Sequence, residues 1–200
     1  MNLFASDAYV YGPGNGLTRQ QQELGYQRIF ALFHKVFNQY PTTLTELIFS
    51  PSVLQPFENY YPLDENGSGL AGGAGPDGYD LFPNTWLHPY YWLYGKRSAE
   101  EIFLPSLLKL KELGGEEAKL YICEIGSLGM NLEFLQHAAL LLFALGGDAI
   151  MYFNYDKRRK KKLYERDWTL HAKQWFEAFG FISRFGQTAQ RPVVHNEVIF

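Results

Sequence analysis

The chain has 200 residues, enough for one sizeable domain and too few for two. A formal net charge of −3 excludes a general polyanion-binding character, and a single cysteine excludes an internal disulfide framework. Apolar residues make up 46% and aromatic residues 17%, so a real core is within reach and aromatic surfaces are available for flat, amphipathic ligands.

Residues 1–18 read as loop, with Gly12-Pro13-Gly14-Asn15-Gly16 as a strong turn signal. Arg19 to Asn38 reads as an amphipathic helix, with Leu24, Ile29, Leu32, Phe33, Val36 and Phe37 on a helical period. Leu44 to Phe49 reads as a short strand ended by Ser50-Pro51. An irregular stretch follows from Val53 to Tyr94, rich in Gly, Pro, Asn and aromatics. Ser98 and Glu101 form a capping box that opens a helix running to about Leu113, stopped by Gly114-Gly115. A strand at Leu120–Glu124 comes next, with a turn at Gly126 and Ser127. A helix from about Asn131 to Leu145 is stopped by Gly146-Gly147. Ala149 to Phe153 reads as another buried strand, then a charged loop, then a helix over roughly Trp168 to Phe185.

From Ser98 onward the order is helix, strand, helix, strand, helix. That alternation predicts an α/β chain with a parallel sheet and crossover helices. Both late strands are apolar runs, as expected when each sheet face is covered. About four strands are expected, half of the eight that close a (β/α)8 barrel.

Glu124 stands out. A carboxylate at the C-terminal end of a short apolar strand is costly unless it is used, and such strand ends are where α/β barrels hold catalytic residues. The bland alternative is a structural carboxylate that pairs with an arginine or caps the next helix. A strand-end glutamate suits glycoside hydrolysis, in which one carboxylate attacks the sugar or activates water. That chemistry needs a second carboxylic acid, about 5–5.5 Å away for retention or about 6.5–9.5 Å for inversion. Cys123, inside the same strand, reads as a small buried residue rather than a nucleophile, since no Cys/His pairing accompanies it.

The succession MNLFASDAYVYGPG, FSPS, YYPLDE, DGYD, YICEIGS, AIMYFNYDK and RDW resembles the C-terminal half of glycoside hydrolase family 26. That family consists of (β/α)8 barrels, chiefly endo-β-1,4-mannanases. The resemblance implies a partial barrel, roughly strands five to eight with their helices, spanning residues 1–200 as one unit truncated at its N-terminus. Cys123-Glu124-Ile125-Gly126 matches the pattern ending the seventh strand, so Glu124 is implied as the nucleophile of a retaining mechanism. The acid/base glutamate of the family precedes a Met-Asn that only Met1-Asn2 matches, which implies an acid/base missing upstream of Met1. Asp77-Gly78-Tyr79 matches an Asp-X-Tyr ending the sixth strand, whose tyrosine hydrogen-bonds the nucleophile; an ordinary turn at Asp77-Gly78 is the alternative. Ser50-Pro51 matches the end of the fifth strand, and Asn154 the asparagine after the eighth. Trp86 and Tyr152 are candidate stacking faces for sugars.

The sequence departs from the family pattern at Leu3-Phe4-Ala5, at Tyr152, and at Gly67 to Gly75, a glycine-rich run of low strand propensity where the sixth strand is expected. The implied partner is a polysaccharide, β-mannan or a related β-glycan, with the parent enzyme expected to be secreted. A non-catalytic carbohydrate-binding or interaction protein on the same fold is the alternative. No phosphate-binding glycine motif occurs, and the five histidines show no metal-ligand spacing, so no cofactor or metal is expected. Nor is a nucleic-acid or membrane partner, since no run reaches the ~18 apolar residues of a span. The basic run Lys157 to Lys162 reads as a solvated loop rather than a polyanion patch. Half a barrel has two open sheet edges, so self-association through them is expected.

Overall fold

The computed structural model describes residues 2–3, 16–39, 47–51, 56–80, 97–115, 119–127, 131–153 and 172–180. In chain order these form strand β1 (Asn2–Leu3), helix α1 (Arg19–Asn38), β2 (Ile48–Pro51), a 3-10 turn (Glu58–Tyr60), β3 (Gly73–Ala74), β4 (Asp77–Asp80), α2 (Ala99–Gly114), β5 (Lys119–Ser127), α3 (Leu132–Ala144), β6 (Ala149–Tyr152) and α4 (Ala172–Phe179). The basic run and half of the span expected for the last helix lie outside the described residues.

The helix ends follow from local chemistry. Thr18 and Gln21 form a capping box at the start of α1, as Ser98 and Glu101 do for α2. Gly115 and Gly146, just past the ends of α2 and α3, sit at φ +74° and +79°, where a side chain would be strained. Asn131 caps α3, its Oδ1 accepting from the Phe134 amide at 3.1 Å.

All strand pairs named here are parallel. β1 pairs β2, β2 pairs β3, and both β3 and β4 pair the same side of β5, whose other side pairs β6. β3 and β4 are therefore one strand interrupted at Gly75-Pro76, and the sheet runs in strict chain order from β1 to β6. The glycine-rich run thus supplies a strand, although a short one, and the reason for its glycines is space. A Cβ at Gly73 would lie 2.3 Å from the Tyr121 ring, and one at Gly75 would lie 2.5 Å from the Tyr121 carbonyl. Asp77-Gly78 is likewise strand, not turn, and a Cβ on Gly78 would meet Ile102 and Phe103 of α2 at 2.8 Å.

β5 is longer than its apolar run, continuing through Gly126 and Ser127 where a turn was expected. It also carries an extra residue relative to both neighbours. Ala74 to Asp77 is three steps, opposite four from Leu120 to Glu124; Ile150 to Tyr152 is two, opposite three from Ile122 to Ile125. The interval common to both mismatches is Ile122 to Glu124, so the bulge centres on Cys123. Unbroken alternation would put Ile122 and Ile125 on opposite faces, yet both are fully buried in the same core.

That core lies between the sheet and the helices α2 and α3, where Phe103, Leu107, Leu110, Leu135, Ala138 and Leu142 pack with Leu120, Ile122 and Ile125. Each fully buried large side chain contributes about 1.5–3 kcal/mol. A second, aromatic group forms under α1, where Tyr26, Phe49 and Tyr60 meet edge to face. Gln27 Nε2 fastens α1 there by donating to the carbonyls of Asn59 (2.9 Å) and Tyr61 (3.2 Å).

The bounds of α1 are as read, but its buried face is not. The buried positions are Gln22, Tyr26 and Phe30, whereas Leu24, Ile29, Leu32, Phe33 and Val36 are exposed. Phe33 and Phe37 continue the face of Tyr26 and Phe30 at helical spacing and stack on each other at 6.1 Å. Direction explains much of the difference: Gln22, Tyr26 and Phe30 follow one another at i, i+4, whereas Leu24 and Leu32 lie about 120° or more from Tyr26 around the helix.

Candidate functional site

Five chemistry-bearing side chains gather on β2, β4 and β5. Ser50 is next to last in β2, Asp77 opens β4 and Asp80 closes it, and in β5 Glu124 lies three residues before the closing Ser127 rather than at the strand end expected. Asp77 and Glu124 are directly opposed in the parallel register. A parallel sheet in chain order puts these positions side by side, and the bulge at Cys123 sets how Glu124 leaves its strand.

Ser50 and Asp77 are each only 2% exposed, and the Ser50 hydroxyl donates to Asp77 Oδ1 at 2.8 Å. A buried carboxylate needs such a donor, and a hydrogen bond to a charged group contributes about 1.5–3 kcal/mol. One strand further along, Ser127 Oγ donates to buried Asp80 at 3.2 Å and accepts from the Asn131 amide at 2.9 Å. Asp80 thus ties the end of β4 to the end of β5 and to the start of α3. With Asn131 and Ser127 at that start, the cap that Glu124 could have provided is already supplied.

Glu124 is half-buried, less enclosed than either aspartate. Cys123 is half-buried too, and burial pushes its thiol up to about 12, with the Asp77 charge adding and a Ser50 hydrogen bond opposing. A thiol so placed is almost wholly protonated at neutral pH, which fits a packing residue and not a nucleophile.

Tyr79 is opposite Gly126, two residues beyond Glu124, and its ring meets Phe153 edge to face at 6.2 Å. Tyr152 is the partner of Ile125, and the Phe153 amide donates to the Ile125 carbonyl at 2.8 Å. The structure therefore brings Glu124, Asp77, Tyr79 and Tyr152 onto three adjacent strands. Trp86 and Asn154 lie outside the described residues. Sequence reasoning matched Ser50 only as a strand end and missed Asp80 and Ser127. The available signal was the second aspartate of Asp77-Gly78-Tyr79-Asp80, on a strand too short to leave it in water.

Among the described residues, no group of three or more His, Cys, Asp and Glu could hold a metal ion, and no helix is long and apolar enough to cross a membrane. No protein-family model matches the chain, and no curated protein matches it in sequence.

Proposed function

We propose that this chain is the C-terminal part of a (β/α)8 barrel similar to glycoside hydrolase family 26, acting on a β-linked polysaccharide of the mannan type. Glu124 is the nucleophile of a retaining mechanism. The observation that carries the reading is the opposition of Asp77 and Glu124 in the register of a parallel sheet running in strict chain order. Barrels wind their strands in that order and work at the C-terminal edge, whereas doubly wound sheets reverse direction partway across.

In this reading Glu124 attacks the anomeric carbon, forming a glycosyl-enzyme as the leaving oxygen takes a proton from a second carboxylic acid. Asp77 is unsuited to be that acid, because it is buried and accepts from Ser50. The acid belongs to polypeptide beyond the described residues, on the β1 side of the sheet, where the resemblance puts it. Tyr79 and Tyr152 line the same edge as positioning groups.

A substrate whose leaving group needs no proton separates the nucleophile from its missing acid. Incubation with a 2-deoxy-2-fluoro-β-mannobiosyl fluoride, followed by peptide mass spectrometry, is expected to place one sugar on Glu124 and none in E124Q. The same protein is expected to release no reducing sugar from β-mannan. A label on another residue, no label at all, or rapid mannan hydrolysis by the 200-residue chain would overturn the reading.

A further inference from the structure

We infer that Asn66 is a self-modification site, where the chain converts asparagine to aspartate or isoaspartate with loss of ammonia, and that Asp64 sets the rate. Glu124 plays no part in it. The site is the tip of a hairpin. Leu63 and Gly69 pair antiparallel, and the Leu70 amide donates to the Pro62 carbonyl at 2.9 Å. Asp64 to Ser68 make the turn between them, with Asn66 and Gly67 exposed.

The reacting groups are neighbours in the chain. The Gly67 backbone nitrogen, on giving up its proton to solvent base, attacks Asn66 Cγ. A C–N bond forms, the side-chain nitrogen leaves as ammonia, and a five-membered imide closes. Water then opens the imide at either carbonyl, giving aspartate or isoaspartate. Glycine favours the attack because no Cβ shields its nitrogen, and glycine is also what the turn demands at position 67, where φ is +82°. A Cβ there would meet nothing within 4 Å, so the demand is conformational and not spatial. The turn itself thus sets the least shielded of nitrogens after an exposed asparagine.

Asp64 holds both reactants back. Its carbonyl accepts from the Gly67 amide at 3.1 Å, which engages the attacking nitrogen. Its Oδ1 accepts from the Asn66 and Ser68 amides, each at 2.8 Å, and its own amide donates to the Ser68 carbonyl at 2.8 Å. The Ser68 amide first, then the Asn66 amide and carboxamide, hold the Asp64 carboxyl below the usual carboxylate range, with desolvation opposing. It is therefore an ionised acceptor at neutral pH. Attack requires these bonds to open, and a turn so tied opens only part of the time.

The product bears on the fold. A Cβ at Gly69 would lie 3.1 Å from the Tyr61 hydroxyl, so the hairpin stem lies against Tyr61, which is buried and meets Phe49 edge to face at 5.3 Å. Isoaspartate lengthens the backbone of that hairpin by a methylene, and either product adds a negative charge beside Asp64 and Glu65.

Peptide mass spectrometry on the full chain, incubated at pH 8, follows the amide-to-acid change at Asn66 apart from the Asn15-Gly16 pair. The native chain is expected to convert at least about tenfold more slowly than the urea-unfolded chain, in proportion to the time the turn is open. Asp64→Ala is expected to bring the native rate toward the unfolded one. Asp64→Asn, which keeps an acceptor oxygen, is expected to stay near wild type. No conversion at Asn66 in urea would overturn the site. A native rate within about twofold of the urea rate, or Asp64→Ala as slow as wild type, would overturn the control by Asp64. So would Asp64→Asn as fast as Asp64→Ala. Should Asp64→Ala unfold the chain, hydrogen exchange at the Gly67 amide of the wild type replaces it: protection is expected, and exchange at the unfolded rate counts against the inference.

Discussion

Cys123 reports on the electrostatics of the candidate site, and as the only cysteine it gives an unambiguous signal. Its thiol moves from an ordinary 9.0 to about 12, chiefly through burial and then through the Asp77 charge. Below pH 9 that shift of about three units lowers the thiolate fraction about 10³-fold. A thiolate of higher pKa is also a better nucleophile; a Brønsted slope of about 0.4–0.5 returns roughly 15- to 30-fold. Exchange with an aromatic disulfide such as DTNB at pH 8 should therefore be at least about 30-fold slower in the folded chain than in the urea-unfolded chain, with half-burial slowing it further. Asp77→Asn removes the adjoining charge and should speed the reaction, by less than the full suppression because burial is the larger cause. The same shift has a thermodynamic side. A raised folded-state pKa contributes stability that is intact below pH 9 and lost as pH climbs toward 12, by about 4 kcal/mol at most. Cys123→Ala should remove this part of the alkaline loss. A folded-state exchange rate within threefold of the unfolded one, or an Asp77→Asn variant that reacts more slowly, would refute this account of the site.

Ser50→Ala deletes the donor to a buried carboxylate and should cost about 1.5–3 kcal/mol. Urea unfolding at concentrations low enough to hold the monomer measures it; a loss under 0.5 kcal/mol would show that the bond does not hold Asp77. Gly78→Ala forces a methyl against Ile102 and Phe103 and should cost about 1–3 kcal/mol, read in the same assay. An unchanged midpoint for Gly78→Ala would mean that α2 does not press on β4 there.

The parts of the fold legible in the sequence are those fixed by neighbouring residues. The capping box at Ser98, the Gly115 and Gly146 stops, and the bounds of α1 depend on a few consecutive positions, and each is where the pattern placed it. What was not legible depends on residues far apart in the chain. Gly73 and Gly75 read as poor strand formers because nothing nearby announces that Tyr121, more than forty residues later, presses against them. The bulge at Cys123 exists only as a mismatch against two other strands, so no local property of Tyr121-Ile122-Cys123-Glu124 betrays it. Glu124 could be singled out by its type and place, whereas the roles of Ser50 and Ser127 could not, because each is a bond to a side chain on another strand.

The α1 helix joins the two halves of the argument. Its period predicted one apolar face, but its apolar residues spread around more than one, and the face that finds a core carries Tyr26 and Phe30, which the pattern did not single out. A hydrophobic pattern records what a segment was selected to bury, not what lies beneath it in a given polypeptide. Ile29, Leu32, Phe33 and Val36 are accordingly exposed, although the pattern counted all of them on the apolar face. Glu124 was likewise singled out by type and place, and the structure sets it opposite Asp77, beside the bulge and the buried Ser50–Asp77 pair. A pattern in the sequence names the residues worth testing, and the strand register decides which of them can act together.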